Sequence, residues 1–132
     1  MKVKARVISR GFASGKAVVS RKRISFLGDV DPSTGKIVAK DSDITGLNIA
    51  GKVLIFPGGR GSTVGSYVLY KMKKIGTAPI AIVNLETEPS IAVGAIVAEI
   101  PLVDKPEINV VEFIKTGEIV EVDANNGWIK WK

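Results

Sequence analysis

The sequence predicts a mixed α/β domain of layered β/β/α architecture. Three observations carry this: a strand-rich first part, one well-marked β-turn-α-β unit in the middle, and a closing hairpin. A pure sandwich has no such middle and an eight-fold barrel would repeat it, so neither is expected. The 132 residues amount to one ordinary domain, 1–132, large enough to bury a core without disulfides or metal.

Apolar residues at Val3, Ala5 and Val7 give residues 2–9 the period of two of a half-buried strand, closed by Arg10-Gly11. Residues 17–20 and 24–27 read as further short strands. In "GDVDPSTGKIV", Pro32 presets a turn and Gly35 accepts a positive φ, so 31–35 is a tight loop. Residues 41–51 are rich in Asp, Thr, Asn and Gly, and their scattered Ile44, Leu47 and Ile49 predict a loop packed down on the body. "KVLIF", 52–56, is a continuous apolar run of the kind found in strands covered on both faces.

The period then lengthens. Val64, Val68, Leu69, Met72 and Ile75 recur at spacings of three and four, which predicts an amphipathic helix over 63–75. Ser62 suits its start, Lys71, Lys73 and Lys74 suit its negative end, and Gly76 suits the left-handed position after it. "PIAIVNL" completes the β-turn-α-β unit. Residues 88–97 are expected as a short helix with Pro89 in its first turn and Ile91, Ala95 and Ala98 on one face. A short strand at 101–103 and a helix over 109–115, ended by Gly117, follow. "EIVEVD" and "WIKW" alternate around Asn125-Asn126-Gly127 as a hairpin.

Cysteine and histidine are both absent, which removes the thiolate nucleophile, the imidazole base and nearly every zinc or iron–sulfur ligand set. Catalysis would have to use Ser, Thr, Tyr, Lys, Arg or carboxylates, or borrow from a partner. Glutamine is absent too, while Ile, Val, Lys and Glu are plentiful, a bias that fits a chain avoiding thermolabile side chains. No apolar run is long enough to span a bilayer and no basic segment followed by an apolar one opens the chain, so no membrane partner and a cytoplasmic location are expected. The net charge is +6, yet the only dense basic run is Arg21-Lys22-Arg23, read as a solvated turn or strand end. No nucleic-acid motif accompanies it, and no nucleic-acid partner is expected.

The segment "GGRGSTVGS", 58–66, carries the candidate chemistry. A Walker A loop begun at Gly58 would need its second glycine where Thr63 stands, and no lysine follows; a dinucleotide fingerprint begun at Gly59 would need glycine where Val64 stands. What survives is more general. A strand ends, glycines expose N–H groups, and a helix begins with the positive end of its dipole toward the turn, so a small anionic substrate is expected against Gly59, Arg60, Gly61, Thr63 and Ser66. Arg60 offers a planar fork suited to carboxylate or phosphate. Ser62 is either a plain N-cap worth about 1 kcal/mol or a base. A serine base needs N–H donors, the dipole and Arg60 to favour the alkoxide. Ser66, one turn on, either positions a ligand or is a packed helix serine.

"SFLGDVDPSTGKIV", "DITGLNIAGKVLIF", "FPGGRGSTVGSYVLY", "TAPIAIV", "AVGAIVAEIPLV" and "GEIVEVDANNGWIKW", in this order over nearly the whole chain, resemble the small subunit of the aconitase X family. The resemblance implies a swivelling β/β/α domain, related to the mobile domain of aconitases. It would close over a large catalytic subunit that carries a [4Fe-4S] cluster, and it would be active only with that subunit. It implies Ser62, the serine of the GRGS segment, as proton acceptor. The reaction implied is dehydration of (R)-5-phosphomevalonate to trans-anhydromevalonate 5-phosphate in the archaeal mevalonate route to isoprenoids. A chain without cysteine leaves the cluster to another polypeptide. Within the same family, cis-3-hydroxyproline dehydration is the other reaction open; outside it stands a non-catalytic anion-binding or interaction module whose GGRGS is only turn and cap. One departure is Gly28-Asp29, where the family pattern leads one to expect Gly-Gly before Val-Asp-Pro.

Overall fold

The computed structural model describes residues 1–61 and 64–132 and is built on one eight-stranded sheet. In chain order the strands of that sheet are β1 (Lys2–Lys4), β2 (Arg6–Ser9), β3 (Phe12–Val19), β6 (Val53–Phe56), β7 (Ala81–Asn84), β8 (Leu102–Asp104), β9 (Ile119–Asp123) and β10 (Trp128–Trp131). A separate ribbon pairs β4 (Val30–Asp31) with β5 (Lys36–Ile37). Across the large sheet the order is β1-β10-β9-β3-β6-β7-β8-β2. The β3-β6-β7-β8 stretch is parallel; the flanking pairs are antiparallel.

The two ends of that order, β1 and β2, are consecutive in the chain, with only Ala5 between them. The predicted single strand over 2–9 is therefore two strands, one at each margin of the sheet. The apolar alternation runs through unbroken because both margins bury the same phase of side chains; Ala5 changes partner, its N–H donating to the Gly127 carbonyl at 2.9 Å. The sheet thus folds over on itself. Its antiparallel part brings Val3, Val120, Val122, Ile129 and Trp131 onto the face of the parallel part formed by Val53, Ile55, Val83 and Val103. The alternate residues Leu54, Phe56, Ile82 and Leu102 point the other way, into a second core closed by helices. The β/β/α layering follows from that alternation.

The helical layer holds α2 (Gly65–Ile75) and α3 (Pro89–Ala98), which pack on each other. Leu69 and Met72 of α2 are fully buried, while Val64 and Ile75, at the two ends of the predicted stripe, are about half exposed. Helix α2 ends as expected: Gly76 is left-handed at φ +86°, and Thr77 donates to the Met72 carbonyl. Pro89 opens α3, and Gly94 permits close approach, since a Cβ there would lie 3.0 Å from Ser66 Cα. A short α4 (Val110–Phe113) is capped by Asn109, whose Oδ1 accepts the Val111 N–H at 3.1 Å.

Two further expectations are corrected. Residues 24–27 do not form a strand: Ile24 makes a single parallel bridge to Gly59, and α1 (Phe26–Asp29) is one helical turn broken at Leu27 and Gly28. The strand expected over 17–20 begins at Phe12, because β9 pairs with its first half through a backbone ladder that its mixed side chains do not signal. The 31–35 turn is as predicted, with Asp31 Oδ1 accepting the Ser33 N–H and hydroxyl; the hydroxyl first, then the N–H, holds this carboxyl below its ordinary pKa. Among the described residues no helix is long and apolar enough to cross a membrane.

Candidate functional site

Parallel strands place their carboxyl ends along one edge, where ligands of open α/β sheets bind. The segments that follow β3, β6 and β7 meet there: 20–29, 57–61 and 85–88. Their contacts are backbone-close. Ile24 N–H donates to the Gly58 carbonyl at 3.2 Å, and Leu85 and Glu86 N–H both donate to the Pro57 carbonyl at 3.1 Å. The glycines permit this approach, for a Cβ on Gly58 would stand 2.6 Å from the Glu86 carbonyl oxygen, and one on Gly59 would stand 2.8 Å from Ile91 Cδ1.

Arg60 leaves this loop toward Asp29. Its Nη2 donates to Asp29 Oδ1 at 2.8 Å, and its Nη1 lies 3.9 Å from Asp41 Oδ2. Asp29 is only 8% exposed, and its second oxygen accepts the Ser25 N–H at 2.8 Å. The Asp29 carboxylate therefore turns inward and holds the 57–61 loop to the 25–30 turn. The guanidinium, expected against an anionic substrate, meets a carboxylate of the chain itself.

The backbone donor next to it is engaged as well. Gly61 N–H donates to Glu88 Oε2 at 2.9 Å, and the other oxygen of Glu88 accepts the Ser90 hydroxyl at 3.4 Å. A carboxylate thus sits against the Gly-rich turn, as the sequence predicts for an anion, but it belongs to the chain itself. Ser66 is half-buried and packs through its Cα and Cβ against Gly94 of α3. Ser62 and Thr63 lie outside the described residues, and with them the expected cap, base and Thr63 contact. Helix α2 as described begins at Gly65, with Val64 at its N-cap in helical φ/ψ.

Beside the loop opens a cavity of about 250 Å³, whose walls include Lys22, Arg23, Ile37, Ser42, Asp41 and Arg60. Sequence reasoning noted Asp29 as a departure and Lys22 and Arg23 as a solvated basic run, and placed neither these nor Glu88 at the loop. Their signal is tertiary, for each meets the loop from a segment far along the chain. The sequence has neither cysteine nor histidine, and among the described residues no group of acidic side chains could hold a metal ion, so the residues present do not fit an iron–sulfur cluster.

Comparison with known proteins finds relatives over nearly the whole chain. The aconitase X swivel domain family matches residues 2–131. The small subunit of phosphomevalonate dehydratase from Methanosarcina acetivorans is 55% identical over 98% of this chain and 90% of its own length. The protein of the same name from Archaeoglobus fulgidus is 52% identical over 98% of both chains. The crystal structure of Thermococcus kodakaraensis aconitase X in its holo-form superposes with a TM-score of 0.95 at 50% identity, covering 100% of this chain and 98% of that one. On this match of sequence and fold, the chain belongs to the aconitase X swivel domain family.

Proposed function

We propose that this chain is the small subunit of a phosphomevalonate dehydratase, a hydro-lyase that works only with its large subunit and converts (R)-5-phosphomevalonate to trans-anhydromevalonate 5-phosphate. The observation that carries this reading is the similarity, above half identity and over nearly the full length, to proteins so named. The convergence of three loops and a cavity at the carboxyl edge of the parallel strands supports it.

The reaction removes a proton from the carbon next to the carboxylate and a hydroxyl from the carbon beyond it, leaving a double bond between them. Ser62 is assigned the proton. It follows Gly61 directly in the chain, beside the Gly61 N–H that Glu88 accepts, the Arg60 guanidinium that Asp29 accepts, and the approach to α2. The approach to a helix N-terminus favours negative charge on an oxygen, and the N–H and the guanidinium do so where substrate draws them from Glu88 and Asp29. Gly59, Arg60, Gly61 and Thr63, with Ser66 one turn on, form the substrate-facing surface of that loop. Departure of hydroxide needs an acid, and this reading borrows it from the partner. The [4Fe-4S] cluster implied by the family would supply Lewis acidity, and its ligands are placed on the large subunit. The reaction is intracellular in this reading, with a small anionic substrate and no part for nucleic acid or membrane.

The test is Ser62→Ala in the complex reconstituted with the large subunit. Turnover of 5-phosphomevalonate should fall by about 100- to 10,000-fold, the range for loss of a general base, with assembly and thermal stability retained. Near-normal turnover removes the serine from the mechanism, and dehydration of cis-3-hydroxyproline in place of 5-phosphomevalonate reassigns the substrate.

A further inference from the structure

Of the basic run Arg21-Lys22-Arg23, the first arginine turns away from the site. Its Nη1 donates to both carboxylate oxygens of Glu112, at 3.1 and 3.2 Å. The other two line the cavity beside the Gly-rich loop. Lys22 Nζ donates to the Asp41 backbone carbonyl at 2.6 Å, and Arg23 Nη1 to the Gly59 carbonyl at 3.2 Å. Neither forms an ion pair with a carboxylate among the described residues. An ammonium has three donors and a guanidinium five, so most of their N–H groups remain to offer. Ser42 adds a hydroxyl: its Oγ accepts the Ile44 N–H at 3.1 Å, which leaves its own proton to donate. Two acids share the walls, but Asp29 is spent on Arg60 and the Ser25 N–H, and Asp41 is mostly exposed and faces Arg60.

We infer that this cavity, through Lys22, Arg23 and Ser42, is the phosphomonoester subsite of the substrate. The inference rests on the function proposed above and extends it to the end of the molecule remote from the reacting carbons. Three cations against two carboxylates leave the pocket net positive, and the two cations without acidic partners stand together on one strand-to-turn segment. At about 250 Å³ the space falls below that of pockets that enclose a whole drug-sized ligand, roughly 300–1,000 Å³. It suits a phosphoryl group and a short carbon arm, with Ile37 as apolar wall. Arg23 joins the cavity to the Gly-rich loop through its bond to Gly59, and Arg60 borders both. A substrate with its phosphate on Lys22 and Arg23 would therefore lay its carbon chain toward the loop that precedes Ser62. The carboxylate and hydroxyl would then lie at the reacting end, and the two cations would select for a phosphorylated hydroxy acid.

Arg23→Gln and Lys22→Gln remove charge and keep size. In the reconstituted complex each should raise the KM for 5-phosphomevalonate about 10- to 100-fold, as loss of a charge-assisted contact made equally in ground and transition states does, and leave kcat within about threefold. Arg23→Lys should recover part of the loss. A fall in kcat at unchanged KM, or no change in either, overturns the inference. A second measurement is independent of turnover: inorganic phosphate is titrated into the full chain and backbone amides are followed by NMR. Saturable shifts at Arg23 and Ser42, lost in Arg23→Gln, are expected; their absence overturns the inference even where the complex is active. Saturable binding there, with a wild-type complex that leaves 5-phosphomevalonate untouched, defeats the proposed reaction while the cavity stands as a phosphate site.

Discussion

Asp29 and Arg60 show how a single pair organises the edge of the sheet. A carboxylate at 8% exposure is costly to bury unless its charge is met, and both its oxygens are met, one by Arg60 and one by the Ser25 N–H. The guanidinium is half in water, so the pair falls short of the figures for wholly buried ion pairs. Arg60→Ala leaves the carboxylate without its cation and should cost about 1–2 kcal/mol of folding stability; Asp29→Asn should cost about 1 kcal/mol. The double variant should lose less than the sum, with a coupling of about 1 kcal/mol, because the second change removes a group already orphaned by the first. Denaturant unfolding of the four proteins measures this. Strictly additive losses would show that the contact holds nothing in solution. Sequence reasoning did not find the partner of Arg60, since no local pattern announces a carboxylate 31 residues upstream.

At the scale of elements, what the chain reveals depends on whether the signal is local. The 52–56 run, the cap at Gly76 and the 31–35 turn are each determined by neighbours in sequence, and each is found where expected. The division of 2–9 into two strands depends on which distant strands lie alongside, and period-two alternation carries no record of that. Helix α3 is apolar nearly all round, yet the face named from spacing, Ile91, Ala95 and Ala98, is the one buried, together with Gly94, while Val93, Ile96 and Val97 are left about half exposed. The Gly-rich loop was legible as a turn but not as a junction. Gly58 is the tightest point of that junction, because a Cβ there would meet backbone at 2.6 Å from Glu86 O as well as Arg23 Nη1 at 3.0 Å. Backbone yields less readily than a side-chain tip. Gly58→Ala should therefore destabilise by about 1–3 kcal/mol, as overpacking does, and should lower kcat/KM of the assembled enzyme about 10- to 100-fold by displacing the loop that leads to Ser62. Wild-type kinetics in that variant would mean that the loop position does not matter to the reaction.

On the scale of the whole molecule, two cores share the same strands. Leu54, Phe56, Ile82 and Leu102 face the helices, while Val53, Ile55, Val83 and Val103, often the very next residues, face the folded-over antiparallel strands. Neither core can come apart while the other keeps those strands straight, so the chain should unfold as one unit. The two tryptophans allow this to be tested, for both lie on β10, and the indole of Trp131, 6% exposed, belongs to the core away from α2 and α3. Leu69 belongs to the opposite core and is fully buried on α2. Leu69→Ala should cost about 2–5 kcal/mol, the range for such truncations. It should move the tryptophan fluorescence transition and the far-ultraviolet circular dichroism transition by the same amount. If the helix-side variant lowered only the dichroism midpoint and left Trp131 reporting a wild-type transition, the shared strands would not couple the layers, and the helical layer would be able to loosen over a standing sheet.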